Sequence, residues 1–164
     1  MKEILLTGAG GHCLACIDVI ELEKKFKIVG LIDNKNIKSK YGYKIYSENN
    51  LKKLSRKVKY ALITVGQIKN SKIRERLFKT LKIQGFKFPT ITSPLSYVSK
   101  RANVGEGTII MHGSIVNAGA VIGKNCIINN KVLIEHDTTI KDNCHISTNS
   151  TLNGEVIINK NSFI

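Results

Sequence analysis

Residues 98–163 read VSKRAN VGEGTI IMHGSI VNAGAV IGKNCI INNKVL IEHDTT IKDNCH ISTNST LNGEVI INKNSF, and Ile164 opens a twelfth unit of six. Each unit begins on an aliphatic residue: Val98, Val104, Ile110, Val116, Ile122, Ile128, Ile134, Ile140, Ile146, Leu152, Ile158 and Ile164. A second track runs through Ala102, Thr108, Ser114, Ala120, Cys126, Val132, Thr138, Cys144, Ser150, Val156 and Ser162, all small or β-branched. A period of six is neither that of a helix nor that of a strand. One bulky and one compact inward position per six residues describe a short strand and a turn, repeated as the flat side of a coil. Three such sides close a triangular turn, so the segment reads as a parallel β-helix of nearly four turns.

Outward from that repeat the texture changes. The chain has 164 residues, enough for one domain or two small ones. Residues 1–90 hold 20 Lys and Arg against 7 Asp and Glu, a balance of +13; residues 91–164 hold 6 against 5, or +1, which completes the net +14. A basic first half suits nucleic acid, an anionic surface, small polyanions such as nucleotides and coenzyme A, or simply a lysine-rich soluble surface. Zinc spacings, a helix-turn-helix pattern and aromatic-rich strands are missing, which argues against nucleic acid. No apolar run approaches the ~20 residues of a membrane span, and the chain enters a strand too early for a signal peptide. The expectation is a cytoplasmic protein with no membrane insertion. Cys126 and Cys144 lie on the compact inward track and read as buried small residues rather than disulfide partners.

The first half alternates strand and helix, which implies a small parallel sheet. Lys2 to Thr7 is a short apolar run, Gly8 to Gly11 a turn, and a helix follows from His12 to about Phe26 with Ala15, Val19, Leu22 and Phe26 on one face. Lys27 to Asp33 is the second strand, Tyr41 to Asn50 is turn-rich and precedes a short helix, Tyr60 to Val65 is a third buried strand, and Ser71 to Gln84 is a basic helix. Pro89 and Pro94 bracket the change of pattern, so the domains are expected at residues 1–91 and 92–164.

Two groups of residues carry chemistry. In the turn Gly8-Ala9-Gly10-Gly11-His12-Cys13, glycines allow backbone N–H groups close to an anion, and the following helix adds the positive end of its dipole. Asp33, about 20 residues further on, stands where an acid meets ribose hydroxyls. The third glycine of the dinucleotide fingerprint is absent, because position 13 is Cys. A nucleotide or nucleotide-sugar site is favoured over a redox dinucleotide, with a merely tight turn as the alternative. Cys13 and Cys16 form a CxxC at a helix start, where a thiol pKa can fall, so a redox or metal role also has to be weighed. The second group is Ile134-Glu135-His136-Asp137, followed by His145 in a different phase of the coil. A neutral imidazole beside an acid that orients it is suited to general-base work; the alternative is a surface histidine between two solvated acids.

The stretch NNKVLIEHDTTIKDNCHISTNSTLNG at residues 129–154, with ILLTGAGGH at the start and GLIDN at residues 30–34, resembles the family of sialic acid O-acetyltransferases and bacillosamine-pathway UDP-amino-sugar N-acetyltransferases. The resemblance implies a Rossmann-like domain that holds the sugar substrate, a left-handed β-helix that holds acetyl-CoA, no metal, and a homotrimer with active sites between neighbouring coils. It assigns His136 as general base, Asp137 as its supporting acid, His145 as a residue beside the thioester, Gly154 as a backbone position near the acetyl group, and Asn129 as a polar residue near the base. Gly8, Gly10, Gly11 and His12 match its nucleotide-sugar loop, and Asp33 matches its acidic position after the second strand. The implied reaction is direct attack of a sugar amine or hydroxyl on the thioester, with no cysteine intermediate.

The chain departs from that pattern at Cys13, at Lys131, whose charge would depress the His136 pKa if close, and at Lys141, Ser147 and Asn159, where Gly105 and Gly123 keep the usual glycine. Family members continue for two or more coils past the position of Ile164. The second expectation is therefore a binding or assembly protein of the same fold with weak catalysis.

Overall fold

The computed structural model describes residues 1–34 and 37–164. β1 (Lys2–Thr7) lies in a five-stranded sheet between β2 (Phe26–Ile32), its central strand, and β5 (Tyr60–Ile63), both parallel to β1. β4 (Tyr43–Tyr46) extends the sheet beyond β2 in parallel, and β3 (Ser39–Lys40) closes that edge antiparallel to β4. The stretch expected as turns thus contains a strand. Its left-handed Tyr41-Gly42 turn is the turn signal, and Ile45 is the one residue of β4 buried in the core, too little apolar pattern to announce a strand.

Among the described residues three α-helices accompany these strands: α1 (Gly11–Glu23), α2 (Leu51–Ser55), which follows a 3-10 turn at Glu48–Asn50, and α3 (Lys72–Ile83), which leads on to the coil. α1 buries Cys13, Cys16, Ile17, Val19 and Ile20, whereas Leu22, expected on the apolar face, is exposed. The reason is that α1 lies between two surfaces. Its residues share one core with Ile4 and Leu6 of the sheet and with Ile91, Ile109, Met111 and Ile127 of the coil. The helix stops short of Phe26 at Lys24, which takes a left-handed conformation and donates its N–H to Ile20 O.

The second half is a parallel coil with three walls of two-residue strands. The first wall stacks residues 91–92, 109–110, 127–128 and 145–146; the second 97–98, 115–116, 133–134 and 151–152; the third 103–104, 121–122, 139–140 and 157–158. Pairing joins residues one full turn apart, such as Ile128 with Ile146 and Ile134 with Leu152. The aliphatic track fills the interior, where Ile110, Val116, Ile128, Ile134 and Ile146 are fully buried; each such side chain contributes about 2 kcal/mol of transfer free energy. The compact track tolerates hydroxyls because they cap carbonyls inside the coil: Thr108, Ser114 and Thr138 donate to the oxygens of Gly123, Asn129 and Asn153 at 2.8, 2.7 and 2.9 Å.

The structure adds a third track. Every sixth residue from Gly107 to Asn161 turns a corner with positive φ: Gly107, Gly113, Gly119, Asn125, Lys131, Asp137, Asn143, Asn149, Glu155 and Asn161. Glycine, asparagine and aspartate take this region at least cost, which accounts for most of the track; Lys131 and Glu155 are the residues that bear strain there.

The sheet domain covers the first wall and both corners that flank it. Asp18 of α1 meets His112 at one corner, while Arg74 and Gln67 reach Asn125, Asn143 and Ser162 at the other. The third corner, between the second and third walls, lies on the far side of the triangle.

Candidate functional site

The glycine turn sits at the C-terminal end of β1, where the sheet continues to β2 on one side and to β5 on the other, the crevice in which open parallel sheets bind ligands. Gly8 has φ +103°, and a side chain there would collide with Val65. Gly10 and Gly11 face open space. Asp33 is drawn onto the turn, accepting the Ala9 N–H at 2.8 Å, and Thr64 Oγ1 donates to Gly8 O at 2.7 Å. From the β3 side, Lys40 Nζ donates to Ala9 O at 2.7 Å and Tyr41 OH to Gly10 O at 3.3 Å. A cavity of about 560 Å³ is lined by Gly8, Gly10, Gly11, His12, Asp33 and Thr64 together with Val65, Gly66 and Ile68. A second, of about 260 Å³, shares Gly8, Asp33 and Val65 with it and extends to Asn34, Glu48 and Arg76. Residues expected at a nucleotide loop therefore do meet around one groove.

His12 is largely buried, and its pKa is lowered to about 4 by burial first and then by the charges of Arg74 and His145. Its Nε2 has no hydrogen-bond partner. The same burial raises the Cys13 and Cys16 thiols, opposing the lowering that a helix start would give. Both are free thiols packed in the core, where the raised pKa disfavours the thiolate that redox or metal chemistry would need. Among the described residues no group of three or more His, Cys, Asp and Glu could hold a metal ion.

His136 and Asp137 occupy the third corner of the coil. Asp137 Oδ2 lies 3.0 Å from His136 Nδ1, and both side chains are more than half exposed. That contact raises the imidazole pKa, with smaller contributions from the charges of Asp137, Glu135 and Glu155. Lys131 turns a different corner, beside Gly113, and the lowering expected from it does not occur. Two glycines make room for the pair. A Cβ on Gly154, one turn after His136, would stand 2.7 Å from its Nε2, and a Cβ on Gly119, one turn before Asp137, would overlap the Asp137 carboxylate. Gly119 and Glu155 were not singled out in the sequence; both lie on the positive-φ track, the periodic signal that marks them.

His145 is placed otherwise. It points outward from the first wall, directly under the sheet domain, with 7 % of its surface exposed. Its Nδ1 lies 2.5 Å from Gln67 O, and its Nε2 lies 3.2 Å from Asn129 Nδ2. Those partners require Nδ1–H to donate and Nε2 to accept, so the ring is neutral, and burial lowers its pKa. Within one chain Asn129 thus serves His145 and is not beside His136. The third histidine of the coil, His112, joins Ser93 Oγ at 2.7 Å to Asp18 Oδ2 at 2.9 Å. The Ser-His-Asp order resembles a hydrolase relay, but Ser93 is 1 % exposed and also accepts the Leu95 N–H, so the chain of contacts ties α1 to the coil.

Comparison with known proteins agrees with this two-part layout. Residues 3–81 match the PglD N-terminal domain family, and residues 101–136 match the bacterial transferase hexapeptide family. UDP-N-acetylbacillosamine N-acetyltransferase of Bacillus subtilis (strain 168) is 33 % identical over 116 residues, 68 % of this chain. The chain spans about half, 52 %, of the length of that curated relative. A mutant of perosamine N-acetyltransferase from Caulobacter crescentus, solved with CoA and GDP-perosamine, superimposes with a TM-score of 0.89 at 23 % identity over 96 % of this chain and 74 % of that one. The acetyltransferase domain of PglB from Neisseria gonorrhoeae FA1090, solved with acetyl coenzyme A, gives a TM-score of 0.83 at 26 % identity over 92 % and 72 %.

Proposed function

Because the chain joins an N-terminal domain of the PglD family to the hexapeptide repeats of bacterial transferases, we propose that it transfers acetyl from acetyl-CoA to the amine of a nucleotide-linked amino sugar. The observation that carries this reading is the His136–Asp137 pair at an open corner, with Gly154 leaving the imidazole Nε2 uncovered. Nδ1–H donates to Asp137, which sets the tautomer and leaves Nε2 as the base. As the sugar nitrogen attacks the thioester carbonyl, Nε2 takes its proton and Asp137 stabilises the imidazolium. The C–N bond forms, the C–S bond breaks, and the proton passes to the departing thiolate of CoA. The glycine groove holds the nucleotide.

The groove and the base belong to different copies in this reading. The sheet domain lies on the first wall, whereas His136 stands at the opposite corner, so one chain does not bring its own base to its own groove. A homotrimer, in which each groove faces a neighbour's corner, resolves the mismatch. Apolar side chains on the outer faces support association: Tyr97 and Ile115 on the second wall, Val121 and Ile157 on the third. The test is release of CoA thiol from acetyl-CoA with a panel of UDP- and GDP-amino sugars and free sialic acids, for wild type and His136→Ala. Turnover that disappears in the variant is expected. Equal silence of both proteins while a nucleotide sugar still binds would establish the binding-protein reading instead.

A further inference from the structure

Among the described residues Arg74 is the one Lys, Arg, Asp or Glu that is buried as a whole residue, at 1 % exposure. α3 carries it inward, where Nη1 donates to Ile63 O at 3.1 Å and Val65 O at 2.7 Å. Nη2 donates to Asn125 O at 2.9 Å and Asn125 Oδ1 at 2.8 Å, which ties the sheet edge to a corner of the coil. Its Nε has no partner, and no carboxylate of the described residues forms an ion pair with it. A charge removed from water is ordinarily paired, because carbonyl dipoles offset only part of its desolvation. Val65, whose carbonyl holds Arg74, lines both cavities at the glycine turn, so the guanidinium sits directly behind the groove wall.

We propose that Arg74 is a positioning residue whose missing counter-ion is the ligand: the diphosphate of a nucleoside diphosphate, seated on Gly10 and Gly11, completes the charge balance across the Val65 wall. This rests on the reading of the groove as a nucleotide site and adds the group that selects the charged ligand. Lys40 is half-buried at the rim, where salt screens it more strongly; Arg74 acts through buried protein, where screening is weak. At the separation of a ligand behind one layer of backbone, a single charge shifts diphosphate affinity roughly tenfold. Burial is the main cause of the lowered pKa of His12 and of His145, and the charge of Arg74 adds to it in both.

The test compares affinities for UDP and uridine, and for GDP and guanosine, by calorimetry at 0.5 M salt (on the order of the concentration at which rim charges are screened). In Arg74→Gln the diphosphates are expected to weaken roughly tenfold while the nucleosides hold; Arg74→Lys retains most of the preference. Asn125→Asp decides the matter if Arg74→Gln does not fold. It sets a carboxylate on Nη2, and it should weaken the diphosphates selectively while the melting temperature stays or rises. Equal loss for diphosphate and nucleoside, or no loss in Asn125→Asp, overturns the proposal. A wild-type protein that binds neither UDP nor GDP removes the nucleotide groove itself, and the proposal with it.

Discussion

His136 and His145 are nine residues apart on one repeating coil, yet the wall under the sheet domain and the corner opposite it give them opposite chemistry. At the open corner a carboxylate 3.0 Å away raises the imidazole pKa. Under the domain, burial lowers it, and a carbonyl and an amide fix the ring as a neutral strut. The repeat supplies equivalent places, and what covers each place decides its role.

The sharpest way to break this contrast is a double dissociation. His136→Ala should lower acetyl transfer by 10²–10⁴-fold, on the order of a lost general base, with little change in melting temperature. His145→Ala should cost about 2 kcal/mol of stability, from a buried ring and two hydrogen bonds, as read by denaturant unfolding. Equal melting of both variants would erase the difference between corner and wall.

Acid should separate the two places next. The folded-state pKa of His12 is about 4 and that of His145 is also lowered, both against a usual 6.5. Between these values the unfolded chain binds more protons than the folded one. This contribution is therefore fully present above about pH 6.5 and is lost as pH falls toward 4, at up to about 1.4 kcal/mol per pH unit for each group. A melting temperature flat from pH 6.5 to 4.5 would contradict the burial. His136, with its raised pKa, should instead appear in the rate: activity rises with pH through a midpoint above the usual imidazole value. Asp137→Asn removes the main cause of that shift, so its acid limb should move to lower pH and its plateau should fall by roughly tenfold. The smallest effect is expected of Gly154→Ala. The backbone there is ordinary, but the methyl presses on His136 Nε2, so a few-fold loss of rate with unchanged stability is the expected result, read in the same thiol assay.

The sixfold track made the coil legible because inward positions repeat along the chain. The same track carries no information about what lies on the outside of each wall. Hence His136, whose partner Asp137 is adjacent in sequence, was readable, while the burial of His145 was not, since its partners Gln67 and Asn129 come from elsewhere in the chain. Arg74 was hidden for a related reason: in sequence it is one more cation in a basic helix, and only packing sets it apart. The strand at Tyr43–Tyr46 escaped because it buries one residue of its four in the core. The glycine turn and Asp33, by contrast, were found at their expected ends of β1 and β2, since both are local signals.

One turn of the coil is a fixed count of residues: Asn125 stacks on Asn143 at a separation of 18. The address of any side chain is therefore a remainder, like the position of a clock hand. Removing a single unit of six ahead of Ile134 would swing His136 by a third of a revolution, to the half-buried place of Asn130 at the corner that α1 meets. Removing 18 residues, one whole turn, would return it to the same hour, one rung along the axis. Length changes in this half of the molecule are thus graded by arithmetic rather than by size, and the smaller deletion does the greater harm.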